Sequence, residues 1–184
     1  MVKRVLFPGL FGGIVLMILT FLLNGILHFN SSINMKRIPD EQRVYEVLKE
    51  YVIEPGRYVC NPEASASTGF PAGEPVFSIL YGGMGHEAAG GLMLLGFAIF
   101  LIAPIIATWM LSLTSDRIIS SYPLKVLFFS SIGLLFALYG DLLNYGIGDY
   151  PLRESLLLGL HNILTWTIVG IVVAWRMKPV GNSS

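Results

Sequence analysis

Residues 133–149 read GLLFALYGDLLNYGIGD, a stretch that begins as membrane-spanning sequence and then places Asp141 and Asn144 three residues apart. Residues at that spacing share one face of a helix. A carboxylate at membrane depth is costly unless it faces protein, water or a partner. Gly133, Ala137 and Asp141 follow at four-residue intervals, so a closely packed face becomes the polar face one turn further on. That face is expected to point into the protein. Counting from Val126 at 1.5 Å per residue, Asp141 lies about 22 Å along the helix, off the membrane centre and toward the far surface.

Outward from this stretch, the 184-residue chain has a mean hydropathy of +0.67 with 13% charged residues, a balance that places it in the membrane class. Four apolar runs, 5–27, 88–113, 126–145 and 156–175, are long enough to cross about 30 Å of hydrocarbon. The first follows Lys3-Arg4, exceeds the length of a signal-peptide core and lacks a small-x-small cleavage site, so it reads as a retained anchor. The other three have Pro or Gly near an end, and Pro104 lies inside the second, where it predicts a kink. Each run carries a small-residue pair at i,i+4: Gly9 and Gly13, Ala103 and Ala107, Gly133 and Ala137, Gly170 and Ala174. Such pairs let helices approach closely where lipid supplies little hydrophobic force. The expected fold is an all-α membrane protein, four transmembrane helices in a compact bundle, forming a single integral membrane domain over 1–184.

Short flanks carry Lys3 and Arg4, then Arg117 and Lys125, then Arg176 and Lys178, whereas the third connection has only Arg153 among Asp149 and Glu154. The positive-inside rule then places both termini in the cytoplasm and residues 28–87 outside. In that extracytoplasmic segment Pro39 suits a first helical turn, Asp40 and Glu41 suit the positive helix end, and Val44, Val47, Leu48 and Tyr51 form an apolar face. A short amphipathic helix is expected, packed as a lid or lying at the bilayer surface. Glu54-Pro55-Gly56 stops it, Arg57-Tyr58-Val59-Cys60 follows as an extended piece, and 61–75 is Pro- and Gly-rich loop. The sequons Asn30-Ser31-Ser32 and Asn182-Ser183-Ser184 receive no role.

Composition and motif content exclude several functions. No basic run exceeds two residues, so no nucleic-acid partner is expected. Cys60 is the single cysteine, which removes intrachain disulfides, Cys-based metal sites and Cys-x-x-Cys chemistry. There is no Gly-x-Ser-x-Gly elbow, Walker glycine-lysine loop, dinucleotide fingerprint or Cys-x-x-Cys-His haem attachment.

The topology instead gathers polar groups at one level. Asn24 and His28 end the first span, His86 and Glu87 precede the second, Asp141 and Asn144 approach the end of the third, and His161, Asn162 and Thr165 open the fourth. A satisfied polar cluster, with water or a bound small molecule, is the leading reading of this ring. The competing reading is a first-row transition metal held by His28, His86, Asp141 and His161, with Glu87 as a further ligand or acid-base group. Against it, no His-Glu-x-x-His or Glu-x-x-His spacing occurs, and the adjacent His86 and Glu87 diverge by about 100° on a helix. Tyr139, Tyr145, Tyr150 and Trp166 suit a quinone or lipid site, although interface anchoring is the commoner role of such residues.

The Lys-Arg start, the glycine-rich first span ending near His28, Arg37-Ile38-Pro39-Asp40-Glu41, Glu54-Pro55-Gly56-Arg57-Tyr58 followed by Pro62, and Tyr145-Gly146 with Pro151 together resemble an uncharacterised family of small bacterial integral membrane proteins. The resemblance covers most of the chain and implies a bacterial inner-membrane location, with no established activity. His28 resembles the family position at the end of the first span, and Tyr58 and Pro62 resemble its outer turn. Residues 144–151 depart from the family's more compact aromatic-glycine-aromatic-proline pattern, and neither Asp141 nor His161 inherits a role.

The functional expectation is therefore a structural or accessory membrane protein, non-enzymatic, that recognises another membrane component or a lipid-like ligand. Membrane lipids are its expected partners, with a membrane-protein partner or self-association beside them. No cofactor is expected outside the metal-dependent alternative.

Overall fold

The computed structural model of the chain describes residues 2–61, 73, 75–83, 91–147 and 150–177. They fall into two compact units, Met1–Lys36 with Gly91–Ser184, and Arg37–Gly90. The first unit is the membrane bundle. Its long apolar helices supply four candidate spans, Lys3–Ile26, Met93–Ser112, Tyr122–Gly146 and Leu152–Arg176. The chain is an integral membrane protein built on an all-α four-helix bundle, with a large connection between the first and second spans.

Each span runs slightly differently from the apolar run that announces it, for a local reason. Helix α1 (Val2–Thr20) continues through a π-helical turn, Phe21–Ile26, closed by a bond from Leu27 N to Leu22 O at 3.0 Å. His28 then adopts left-handed backbone geometry (φ 50°) and α2 (Phe29–Asn34) follows. Helix α4 (Gly91–Ser112) carries Pro104 internally, and the Thr108 hydroxyl donates to the Pro104 carbonyl at 2.7 Å. A short α5 (Asp116–Ser120) leads to α6 (Tyr122–Phe136), which starts four residues before the expected position because Pro123 fits a first helical turn. A second π-helical turn, Ala137–Leu142, and α7 (Leu143–Ile147) complete the third span. Helix α8 (Leu152–Arg176) also begins four residues early, with Pro151 outside it as the N-cap and its carbonyl accepting from Ser155 N at 3.1 Å.

Small residues set the packing. An added Cβ on Gly9 would stand 2.7 Å from the Ile105 Cα, and on Gly13 2.8 Å from the Leu101 Cα, so α1 and α4 meet backbone to backbone. Gly133 and Gly170 do the same for α6 and α8, with added Cβ atoms 2.9 Å from the Ile163 Cα and 2.5 Å from the Phe129 Cβ. Helix α8 also packs on α1, where Gly12 meets Val169 and Val173. Leu16, Leu111, Phe129, Trp166, Val169, Val173 and Met177 form the core between them. The opposite faces carry large apolar side chains with no protein cover, such as Phe7 at 56% exposure, Leu94 at 66% and Leu135 at 65%. In water these faces would oppose folding; in hydrocarbon they are the required surface. Polar bonds supplement the contact of α6 with α8: Ser130 Oγ with Thr167 Oγ1 at 2.8 Å, and Lys125 Nζ donating to Met177 O at 2.7 Å.

The second unit holds an amphipathic helix and a hairpin. Helix α3 (Glu41–Tyr51) starts two residues after Pro39, because Asp40 takes left-handed geometry (φ 55°) and its carbonyl accepts from Arg43 N and Val44 N. Its covered face is turned from the expected one: Val44 and Leu48 are half-buried, while Val47 and Tyr51 are exposed. The extended piece expected at 57–60 is strand β1 (Gly56–Cys60), which pairs antiparallel with β2 (Phe77–Tyr81) in the register Gly56 to Tyr81 and Cys60 to Phe77. Tyr58, Ile79 and Tyr81 lie on the half-buried face, and Ile79 and Tyr81 line a groove with Tyr45, Leu48 and Val52 of the α3 segment. The Tyr58 hydroxyl donates to the Glu54 carbonyl at 2.6 Å across the turn.

Candidate functional site

Both π-helical turns lie at the same end of the bundle, where the first span ends and the fourth begins. Each pairs a glycine with a polar residue, Asn24-Gly25 in one and Gly140-Asp141 in the other. A π-turn widens the helix by one residue per turn and re-aims the side chains on it, a device that recurs at functional positions. Here it turns two polar groups into a shared layer. Asn162 Nδ2 of α8 donates to Asp141 Oδ2 at 2.7 Å. Asn24 Oδ1 accepts from the Asn30 backbone N–H at 3.4 Å, and the Phe29 ring lies 5.1 Å from the His161 imidazole, centroid to centroid. The chain of contacts therefore runs from the first span through α2 to α8 and on to the third span.

Of the residues singled out in the sequence, this layer unites Asn24, Asp141, His161 and Asn162. His28 is exposed and serves as the left-handed joint between the π-turn and α2. Asn144 is also exposed, and its carbonyl accepts from Tyr150 N at 3.2 Å. Thr165 is buried within α8. His86 and Glu87 lie outside the described residues. Among the described residues no group of three or more His, Cys, Asp or Glu side chains stands close enough to hold a metal ion. His161 has Asp141 as its charged neighbour and His28 is exposed, and the three do not form such a group.

Trp166, grouped in the sequence with the interface tyrosines, is 7% exposed and stacks between Phe129 at 6.3 Å and Phe136 at 5.6 Å. It is a core residue. Tyr139, Tyr145 and Tyr150 are exposed, as interface residues are.

Several participants were not read from the sequence. Phe29 and Asn30 enter the layer because α2 folds back from the joint at His28. The Asn30 Oδ1 and Ser155 Oγ atoms are buried without a protein partner, leaving hydrogen-bonding capacity at this end of the bundle. Lys36 pairs with Glu154 at 3.6 Å, laying an exposed ammonium over a mostly covered carboxylate in the first turn of α8. Beside this polar level, α1 with its π-turn and α4 flank a half-open apolar cavity of about 660 Å³, lined by Met17, Ile18, Thr20, Phe21 and Leu22 on one side and Met93, Gly96, Phe97 and Phe100 on the other. Gly96 is the signal that sequence reading passed over. Unlike Gly9 or Gly13, it meets no atom within 4 Å of an added Cβ, so it leaves space where they close it.

The arrangement defines a class: an integral membrane protein of four spans with an apolar lateral cavity next to a polar layer. Comparison with family models, curated proteins and solved structures gave no match.

Proposed function

We propose that this protein is a non-enzymatic structural or accessory component of a membrane, and that it recognises a lipid-like ligand or an apolar part of another membrane component. The observation that carries this reading is the cavity between α1 and α4. It lies at membrane depth, its lining is almost wholly hydrocarbon and aromatic, and it adjoins the π-turn that bears Asn24. Membrane ligand sites pair a large apolar surface with a few oriented polar groups. Asn30 and Ser155 retain free polar atoms at the same end, and His161, Asp141 and Asn162 supply further donors and acceptors.

The same proposal places both termini in the cytoplasm of a bacterial cell, with the chain in the inner membrane. Lys3, Arg4, Arg117, Lys125 and Arg176 favour that orientation under the positive-inside rule, and the family resemblance favours the location.

Purification in gentle detergent, followed by lipid extraction and proteomics, tests the reading. A lipid or membrane protein retained in constant ratio is expected. Homogeneous protein with neither would count against it.

A further inference from the structure

The opposite end of the bundle presents a different problem in physical chemistry. Lys125 is 4% exposed, and its ammonium has one identified acceptor, the Met177 carbonyl at 2.7 Å. Arg4 shares this end, since Phe11 of α1 lies against the Arg176 guanidinium and Gly12 meets Val173, so α1 begins beside the end of α8 that Met177 closes. The Arg4 Nε and Nη2 atoms are themselves buried, with no hydrogen-bond partner. The ion pair found among the described residues, Lys36 with Glu154, stands at the other end, so no described carboxylate neutralises either cation. A third cation is held nearby by aromatic faces rather than by an anion: the Arg176 guanidinium lies 4.3 Å from the Trp175 ring and 4.7 Å from the Phe11 ring.

A buried ammonium and a guanidinium with two buried, unpartnered nitrogens at one end of the bundle, with no anion paired to either among the described residues, are an unfavourable arrangement, because desolvation and mutual repulsion act in the same direction. An anion with several acceptor oxygens would relieve both, and guanidinium geometry matches phosphate oxygens well. Arg4 as a whole keeps partial exposure, which leaves a route of approach. This end of the bundle is at headgroup level, since Arg4 opens the first span and Met177 follows the last. Basic pockets between helices at that level bind anionic lipid headgroups.

We infer that Arg4 and Lys125 form a phosphate-binding site at the terminal end of the bundle, occupied by the headgroup phosphate of an anionic phospholipid. The site is separate from the α1–α4 cavity and stands or falls independently of it.

Thermal unfolding of the full-length protein in an uncharged maltoside detergent tests this, with phosphatidylglycerol, phosphatidylcholine or inorganic phosphate added. Phosphatidylglycerol is expected to raise the wild-type midpoint by roughly 5 °C near saturation and phosphatidylcholine to leave it in place. Arg4→Gln and Lys125→Gln should each abolish the rise, while Lys3→Gln, at an exposed position, should keep it. Removing an unpaired charge should also leave R4Q at least as stable as wild type without lipid, which a purely structural role for Arg4 would not produce. Should one variant fail to fold, the other is scored alone. An equal rise with inorganic phosphate would support the same site with the free ion as its occupant. An equal rise with phosphatidylcholine, no rise in the wild type, or a full rise in R4Q or K125Q would overturn the inference.

Discussion

Asn162 on α8 donates a 2.7 Å hydrogen bond to the Asp141 carboxylate on the π-helical turn of the third span, and this bond ties the third span to the fourth through half-buried polar groups. Asn162→Leu would leave the carboxylate without that donor. A loss of about 1–2 kcal/mol is expected, with Asp141→Asn losing less because its amide oxygen still accepts. The double variant D141L/N162L should recover most of the loss, since it removes donor and acceptor together. Unfolding midpoints in detergent would check the order.

Gly170 and Gly96 differ in what surrounds them, and the same substitution should separate them. Gly170→Leu forces a side chain into Phe129, 2.5 Å from an added Cβ, and should prevent a well-packed bundle or cost about 3 kcal/mol or more. Gly96→Leu enters open space and gains helix propensity, so stability should hold or rise by about 0.5–1 kcal/mol. Size-exclusion profiles and midpoints of the two proteins provide the comparison.

His28 occupies left-handed backbone space, φ 50°, as the joint between the first span and α2. His28→Gly should be neutral within about 0.5 kcal/mol, whereas His28→Val should cost about 1–2 kcal/mol, because branching at Cβ is poorly tolerated in left-handed backbone that histidine can adopt. A metal-ligating role would make both variants equally damaging to metal content. Stability and bound metal measured on the two proteins would separate these accounts.

The hairpin register puts Cys60 opposite Phe77. Phe77→Cys is therefore expected to form an intrachain disulfide with Cys60 under mild oxidation, because Cα atoms of facing strand residues lie within disulfide range. A shift in non-reducing electrophoresis of a proteolysed sample detects it. Failure to cross-link, with both thiols still labelled by maleimide, would place the strands in another register.

The spans were legible because apolar length and small-residue spacing are one-dimensional signals. Gly9, Gly13, Gly133 and Gly170 announce close helix contacts that the bundle makes. Asp141 was legible for the opposite reason, as a charge that hydrocarbon does not tolerate. Its partner Asn162 was readable as a candidate through its level in the membrane, but the π-turn that aims the two at each other was not. Neither Asn24-Gly25 nor Gly140-Asp141 differs in composition from an ordinary helical turn. Strand β2 was hidden by distance, since Phe77–Tyr81 pairs with Gly56–Cys60 across sixteen intervening residues rich in Pro and Gly. Trp166 shows the limit of residue-type arguments: a tryptophan suited to the interface is buried here because Phe129 and Phe136 flank it.

The claim that the α1–α4 cavity receives a lipid-like ligand is tested most directly by photo-crosslinking in intact membranes. The probe is a phospholipid with a photoactivatable group on its acyl chain, and adducts are mapped by peptide mass spectrometry in wild type and G96L. Adducts concentrated on residues 17–22 and 93–100, and reduced when Leu narrows the cavity in folded G96L, are the predicted result. Adducts spread evenly over the lipid-facing sides of all four spans and unchanged in G96L would contradict it.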